Sequence, residues 1–142
     1  SLQVVTRTNI HEIILNKTLE NRKQCLMFVN DVSQTKYFVT LVEGEKEIVV
    51  MTDQPLKDLL NHKTLKKVIN HYTDNLGFVS VNFPIELREV PGVYSLITSS
   101  LAEAGISIHS FHTIGGEILI LVKNEELVHT QEILQSLLFD LV

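Results

Sequence analysis

Hydrophobic and polar positions along the chain follow a pattern of changing periods. Residues 4–15 are rich in β-branched side chains, residues 18–30 carry apolar side chains at helical spacing, and the β-rich runs 36–42 and 46–52 meet at Gly44. A period of two residues is typical of strands and a period of about 3.6 residues of helices. The first half therefore predicts a strand, a helix and a β-hairpin, in that order.

Short helices are expected next, and the second half of the chain then predicts a similar order of elements. Asp53 and Thr64 are predicted to cap these helices, because both side chains accept hydrogen bonds from free N–H groups at a helix start. The second half predicts the following elements: a strand over 78–85, a helix from Val93 to Ala104 that ends at Gly105, strands over 106–113 and 117–123 around the turn Gly115-Gly116, and a last helix capped by Asn124.

The two halves keep the same register. Gly44 and Gly115 lie 71 residues apart, as do Asp53 and Asn124. Half of the 142 residues is also 71. A fixed internal period of this kind indicates two copies of one structural unit.

The chain is therefore predicted to hold two repeats, residues 1–75 and 76–142, of which the first is a degenerate copy. Each repeat is expected to have the α+β, ferredoxin-like order βαββαβ, with an antiparallel sheet and the helices on one face. Residues 138–142 are a candidate for the closing strand of the second repeat.

The strand over 117–123 is apolar on both faces. Leu119 and Leu121 point away from the other apolar side chains of this strand, because successive residues alternate in direction. Helices cover only one face, so such a strand needs a second layer. We expect that layer to be the other repeat or the same repeat of a second chain, and we predict a homodimer.

Composition narrows the class of protein. Of the 142 residues 44% are hydrophobic, as in an ordinary globular protein. The net charge is −5, so the sequence does not predict the concentrated basic face that binds nucleic-acid phosphates. No apolar run approaches the ~20 residues that span a bilayer. Cys25 is the single cysteine, which fits a reducing cytoplasm, and its apolar neighbours predict a buried thiol. Because strand-like sequence begins almost at once, we expect a further segment before residue 1.

Patterns for catalysis or metal binding are missing from the sequence. The six histidines follow no HxH or HExxH spacing, and His109 and His112 are expected on opposite faces of one strand. No Gly-x-Ser-x-Gly elbow, P-loop or GxGxxG is present. An RNA-binding module with the order βαββαβ stacks bases on strand aromatics, which residues 118–122 lack. We predict no enzyme activity, no metal, no cofactor and no nucleic-acid partner.

The turn at Pro91-Gly92 differs from the other predicted helix starts. Neither Glu89 nor Val90 is a capping residue, so the N–H groups at this helix start are expected to be free for an anion. Glu86 and Glu89 are near enough in sequence to meet an ammonium group, and a free amino acid suits both ends. In the alternative interpretation, water or Glu89 satisfies the helix start, and Pro-Gly is only a sharp turn.

Residues 78–138 resemble an ACT domain. The resemblance rests on a strand followed by Pro91-Gly92-Val93, a helix that ends Leu101-x-x-Ala104-Gly105-Ile106, and a hairpin before the second helix. The first half resembles a degenerate copy that lacks the Pro-Gly turn. ACT domains pair through their sheets and bind amino acids or other small ligands between copies, so the resemblance implies a regulatory module.

The resemblance also implies where a ligand binds. The residues carried over are Glu89, Val90, Pro91, Gly92 and Val93, with Ile106, Ser107 and Ile108 opposite. Amino-acid-binding members often have asparagine at the position of Ser107, and a hydroxyl cannot reproduce the paired geometry of an amide. We expect a cytoplasmic, non-catalytic regulatory protein that binds a small ligand such as an amino acid. The alternative is a purely structural oligomerisation module without a small ligand.

Overall fold

The structure is a computed structural model that describes residues 2–55, 57–58, 65 and 69–140. Within these residues the strands are β1 (Gln3–Asn16), β2 (Val39–Glu43), β3 (Glu47–Thr52), β4 (His71–Asn82), β5 (Ser110–Ile114) and β6 (Glu117–Lys123). The helices with described ends are α1 (Leu19–Ser33), α2 (Val93–Glu103) and α3 (Leu127–Phe139), and short 3-10 turns cover Ile85–Leu87 and Asn124–Glu126. The chain forms an N-terminal unit, Asn9–Asn75, and a C-terminal unit, Ser1–Thr8 with Leu76–Val142.

In the N-terminal unit, β3 lies between β2 and β1, and the first residues of β4 follow β1. The β1–β3 and β2–β3 pairs are antiparallel. The backbone N–H of Asn70 donates to the carbonyl of Ile14 at 2.9 Å, which brings the chain back beside β1 just before β4 begins. The apolar core of this unit consists of Ile13, Leu15, Cys25, Phe28, Val32, Ile48, Val50 and Leu65.

In the C-terminal unit, β6 lies between β5 and β4, and the first residues of β1 lie beyond β4. The β4–β6 and β5–β6 pairs are antiparallel. Val93, Ile97 and Leu101 recur every four residues, so α2 buries one face. The core consists of Val79, Val81, Phe83, Val93, Ile97, Leu101, Ile106, Ile118, Ile120, Val122, Leu127, Leu134 and Leu138, and Leu2 and Val4 pack against it.

The predicted α+β fold class, ferredoxin-like repeats with antiparallel sheets, is confirmed. The first residues of the chain, however, belong to a different unit from the one expected. The sequence pattern groups residues 1–8 with the first repeat, whereas the structure groups them with the C-terminal unit. Residues 138–142 were the candidate for the closing strand, and this expectation is wrong for the described part, because α3 continues to Phe139. The start of β1 occupies the place of the closing strand beside β4.

Asparagine stands at both positions where the chain crosses from one unit to the other. Asn9 has φ 56° and Asn75 has φ 57°, and both residues lie inside long strands. Positive φ is unfavourable for most side chains, but asparagine tolerates it. The two asparagines therefore allow β1 and β4 each to hold a left-handed residue at the boundary of the N-terminal unit.

The predicted strand over 106–113 begins later than expected. The backbone N–H of Ile106 donates to the carbonyl of Leu101 at 3.0 Å, and Gly105 has φ 78°. Both features belong to the end of α2, where a left-handed glycine satisfies the last carbonyls. Strand β5 consequently starts only at Ser110.

The predicted cap at Asn124 is not formed, whereas the helix that Asp53 is predicted to cap lies largely outside the described residues. Asn124 lies in a 3-10 turn, and α3 begins after Glu126 without a side-chain cap, so the expected cap at Asn124 is wrong. The carboxylate of Asp53 accepts the backbone N–H of Phe38 at 2.7 Å and so ties the end of β3 to the start of β2. Thr64, the other predicted cap, lies outside the described residues.

Strand β6 is buried on both faces within a single chain. Leu119 is 3% exposed and Leu121 is 0% exposed. The sequence pattern requires a second layer over these side chains, and one chain already covers them. Strand β6 therefore gives no separate support for a homodimer, which stays a prediction.

We expect Leu121→Ala to destabilise the chain itself. Removing a fully buried leucine side chain costs about 2–5 kcal/mol in the free energy of unfolding. Urea denaturation at two protein concentrations measures this loss. Leu19→Ala is the matched control, since Leu19 is 71% exposed and a surface change alters stability by about 0.5 kcal/mol at most. A variant that loses association but keeps its unfolding free energy would contradict the single-chain burial.

We expect the thiol of Cys25 to react slowly with iodoacetamide in the folded protein. Burial, and secondly the charge of Glu43, raise the pKa of Cys25 to about 11. The thiolate is the reactive form, so near pH 8 the native protein should label at least about 100-fold more slowly than the protein unfolded in urea. Mass spectrometry of both samples measures the difference, and equal rates would show that this core opens freely.

Candidate functional site

The segment between β4 and α2 forms the surface on which the predicted site lies. Strand β4 ends at Asn82, a 3-10 turn follows over Ile85–Leu87, and α2 begins at Val93. Gly92 immediately before the helix has φ 87° and ψ −3°, a left-handed conformation that glycine adopts without cost. The Pro91-Gly92 turn therefore leads the chain directly into α2, whose first residue, Val93, is buried in the core.

The start of α2 has no side-chain cap, as predicted. Its first intrahelical hydrogen bond runs from the N–H of Leu96 to the carbonyl of Gly92, at 2.9 Å. The N–H groups of the preceding residues have no place in the helical ladder and point outward from the helix end. This feature is shared with α3, which also lacks a side-chain cap, so the missing cap alone does not single out the site.

The corresponding helix start in the N-terminal unit is satisfied by its own side chains. Thr18 accepts the backbone N–H of Asn21 at 3.0 Å, and the side-chain amide of Asn21 donates to the carbonyl of Asn16 at 2.8 Å. Lys17 and Arg22 both pair with Glu43 on the neighbouring hairpin, at 3.9 and 2.7 Å. Donors, acceptors and charges at this start are thus largely engaged within the protein.

The segment before α2 and the first residues of α2 line a half-open cavity of about 310 Å³, the α2 cavity, formed by residues 88–95. Five of the predicted site residues line it together: Glu89, Val90, Pro91, Gly92 and Val93. The predicted opposite wall does not line this cavity. Ile106 is buried in the core, Ile108 is half-buried against it, and Ser107 is exposed.

A second cavity, of about 440 Å³, lies beside the segment that follows β4. It is lined by Gln3, Asn82, Phe83, Pro84, Ile85, Glu86 and Arg88. Arg88 lines both this space and the α2 cavity. Glu86, predicted to meet an ammonium group, therefore borders a different space from Glu89.

Arg88 is the residue that sequence reasoning missed. Its Nε–H donates to the carbonyl of Phe83 at 3.2 Å, and its guanidinium lies where a Cβ at position 116 would be. The backbone N–H of Phe83 in turn donates to the carbonyl of Gly116 at 2.8 Å. The glycine pair at 115–116 is the trace of this contact in the sequence. Gly115 has positive φ, which explains a glycine there, but Gly116 does not. A glycine that its backbone angles do not require often marks the close approach of another group.

Aromatic and aliphatic side chains border the α2 cavity. The ring of Tyr94 lies 6.4 Å from the ring of Phe83 and 6.3 Å from that of Phe111, measured between centroids. Tyr94 is 38% exposed and Val90 is 44% exposed. Because an exposed, packed ring is a fixed apolar surface, this wall suits the apolar part of a small ligand.

The described residues outside the α2 cavity hold little further chemistry of note. No three His, Cys, Asp or Glu side chains among them are grouped to hold a metal ion. Burial lowers the pKa of His11, although the negative charges of Asp74 and Asp53 act to raise it. The His11 ring stacks on the ring of Tyr72, with 6.1 Å between the ring centroids. This histidine lies in the N-terminal unit, far in sequence from the α2 cavity. In the same described part, no helix has the length and apolar character needed to cross a membrane.

No family model and no curated protein matches this chain. Solved structures do match it. The ligand-free regulatory subunit of aspartate kinase from Thermus thermophilus has a TM-score of 0.66 and 12% identity, over 94% of this chain and 95% of that chain. The aspartate kinase of Clostridium acetobutylicum, an allosteric enzyme, has a TM-score of 0.65 and 13% identity over 89% of this chain. The present chain spans 32% of the length of that enzyme chain.

E. coli aspartokinase III is similar in two complexes. The complex with aspartate and ADP has a TM-score of 0.66 and 17% identity, over 96% of this chain and 33% of that chain. The complex with lysine and aspartate has a TM-score of 0.57 and 16% identity, over 94% of this chain and 32% of that chain. At these identities the likeness shows the fold alone. A match over nearly the whole Thermus regulatory subunit is consistent with the ACT-like fold that the sequence resemblance implies.

Proposed function

We propose that this chain is a non-catalytic regulatory module that binds an amino acid in the α2 cavity. The observation that carries the proposal is the cavity itself. The uncapped start of α2, Arg88 and Glu89 all line one space of about 310 Å³. This volume falls at the lower end of the ~300–1,000 Å³ typical of small-molecule pockets.

Each part of an amino acid has a counterpart among the lining residues. The carboxylate suits the N–H groups at the start of α2, because a helix start favours negative charge. The ammonium group suits Glu89, which lines the same cavity. An apolar side chain of the ligand suits the surface of Val90 and Tyr94. Gly92 leaves the backbone open to close approach, since nothing lies within 4 Å of a Cβ placed there.

The structural neighbours support the regulatory part of the proposal. They include a regulatory subunit that covers the same length as this chain and an aspartokinase in complex with lysine and aspartate. Their ligands and their regulated enzymes belong to those proteins. For this chain we propose the same kind of role, ligand sensing in the cytoplasm, with its regulated partner undefined.

The proposal includes a homodimer. Ile106, Ser107 and Ile108 do not line the α2 cavity of their own chain, so a second copy is the proposed source of an opposite wall. Analytical ultracentrifugation with and without an amino acid tests this part. A monomer in both samples would remove the dimer from the proposal.

We expect one or a few of the twenty amino acids to raise the melting temperature in a thermal-shift screen. A ligand present at 100 times its dissociation constant adds about 2.7 kcal/mol to the free energy of unfolding. The matching D-amino acid, which places the same groups in mirror-image order, serves as the control. No stabilisation by any amino acid at millimolar concentration would overturn the proposal and favour a purely structural oligomerisation module.

We expect Gly92→Asp to weaken binding of the stabilising amino acid by at least about tenfold, or 1.4 kcal/mol. The added carboxylate would stand where the ligand's own carboxylate is proposed to bind. Gly92→Asn is the matched control, since asparagine has the same shape, no charge and a similar tolerance for positive φ. Isothermal titration calorimetry measures both variants. Equal weakening by Asp and Asn would point to backbone strain rather than to an anion position.

A further inference from the structure

We infer that Arg88 recognises the carboxylate of the bound molecule, and that the missing side chain at Gly116 keeps its guanidinium in place. The inference rests on the proposed function, because it concerns the α2 cavity. It adds a side chain that binds the carboxylate of the amino acid beside the N–H groups at the start of α2. The sequence pattern assigns no role to Arg88.

The guanidinium of Arg88 is held from two sides. Its Nε–H donates to the carbonyl of Phe83 at 3.2 Å. On the other side it packs against Gly116, where an added Cβ would overlap Nε and Cζ. The hydrogen bond of 2.8 Å from Phe83 N–H to the carbonyl of Gly116 fixes both contacts relative to each other. A side chain already ordered in this way loses less conformational entropy when it binds a ligand.

The terminal nitrogens of Arg88 remain available to a ligand. Among the described residues the ion pairs are Lys17–Glu43 and Arg22–Glu43, and Arg88 takes part in neither. A guanidinium carries five N–H donors, of which the carbonyl of Phe83 uses one. Arg88 lines both the α2 cavity and the second cavity. Arg88 is also an exposed residue, so its unused donors are accessible to a small molecule.

Local charge favours a carboxylate over a phosphate. The planar fork of a guanidinium matches either anion in bidentate geometry. Glu89 lines the α2 cavity and Glu86 lines the second cavity, so two carboxylates oppose a dianion at this place. A zwitterion carries a single negative charge together with an ammonium group that these carboxylates attract. The surroundings of Arg88 thus select a ligand with both charges.

If Arg88 only supports the hairpin at residues 115–116, the expected results differ from those for ligand recognition. Its loss then lowers stability and leaves ligand chemistry unchanged. Gly116→Ala separates the two roles, because the new methyl group meets the flexible end of the Arg88 side chain rather than backbone. The guanidinium then moves while its charge stays in the protein. Gly44→Ala is the matched control, since a Cβ there meets only the carbonyl of Glu47 at an ordinary 3.5 Å.

The first experiment observes the arginine side chains directly. The chain has three arginines, Arg7, Arg22 and Arg88, so their Nε–H signals in a ¹⁵N–¹H spectrum are assigned by single Arg→Lys variants. Sodium acetate and acetamide, which match in shape and differ in charge, are the probes. We expect acetate to shift the Arg88 signal in a saturable manner and acetamide to leave it in place. Inorganic phosphate is expected to act more weakly than acetate.

The second experiment measures binding of the most stabilising amino acid and of its carboxamide to the variants. We expect Arg88→Met to weaken binding of the amino acid by about 10- to 100-fold, the loss of a charge-assisted hydrogen bond. Gly116→Ala should approach this loss while its melting temperature stays near that of the wild type. Arg88→Lys should recover only part of the affinity, because lysine lacks the planar fork. The carboxamide should bind weakly to the wild type and be insensitive to Arg88→Met.

The outcomes separate the inference from the proposed function. Equal affinity of wild type and Arg88→Met for the amino acid would overturn the inference and leave the proposed function standing. A saturable acetate shift at Arg88 without stabilisation by any amino acid would support carboxylate recognition and overturn amino-acid sensing. Acetate that moves all three arginine signals alike, or none, would overturn the inference whatever the screen shows.

Discussion

The antiparallel pairing of β4 with β6 is the constraint on which the C-terminal unit and its candidate site depend. The ladder runs from Leu76 opposite Lys123 to Asn82 opposite Glu117. It buries apolar side chains on both strands, and its last pair fixes where the chain leaves the sheet. The following segment must start beside the hairpin at residues 115–116. A residue six positions beyond Asn82 then reaches back to that hairpin, which is how Arg88 comes to lie against Gly116.

The two units solve the same local problem in opposite ways. At the start of α1, a threonine cap and paired charges satisfy the chain's own groups, as expected for a helix whose role is structural. At the start of α2, the cap is missing and a left-handed glycine takes its place. A missing cap costs about 1 kcal/mol. Local rules that favour stability are often broken at functional sites, and the start of α2 departs from a rule that the related start of α1 follows.

Periodicity predicted the element order and the core of each unit, because strands and helices bury side chains at different spacing. It placed Glu89, Pro91 and Gly92 at a helix start, where the structure has them. It could not assign the first residues of the chain, since pairing between β1 and β4 joins positions far apart in sequence. Nor could it find Arg88, whose position depends on a hydrogen bond to Phe83 and on space left by Gly116. A single sequence gives little indication of such contacts, because they join residues that are not neighbours in the chain.

The division of β1 between the units sets an order of events during synthesis on the ribosome. The N-terminal unit has all of its residues once Asn75 has emerged. The C-terminal unit must wait, because Leu2 and Val4 pack against a core that includes Leu138. Leu2 and Val4 are made before the rest of this core and are thus among its last residues to find their place, and until then they belong to an unpaired strand. Long-range closure of this kind slows folding and exposes the nascent chain to aggregation.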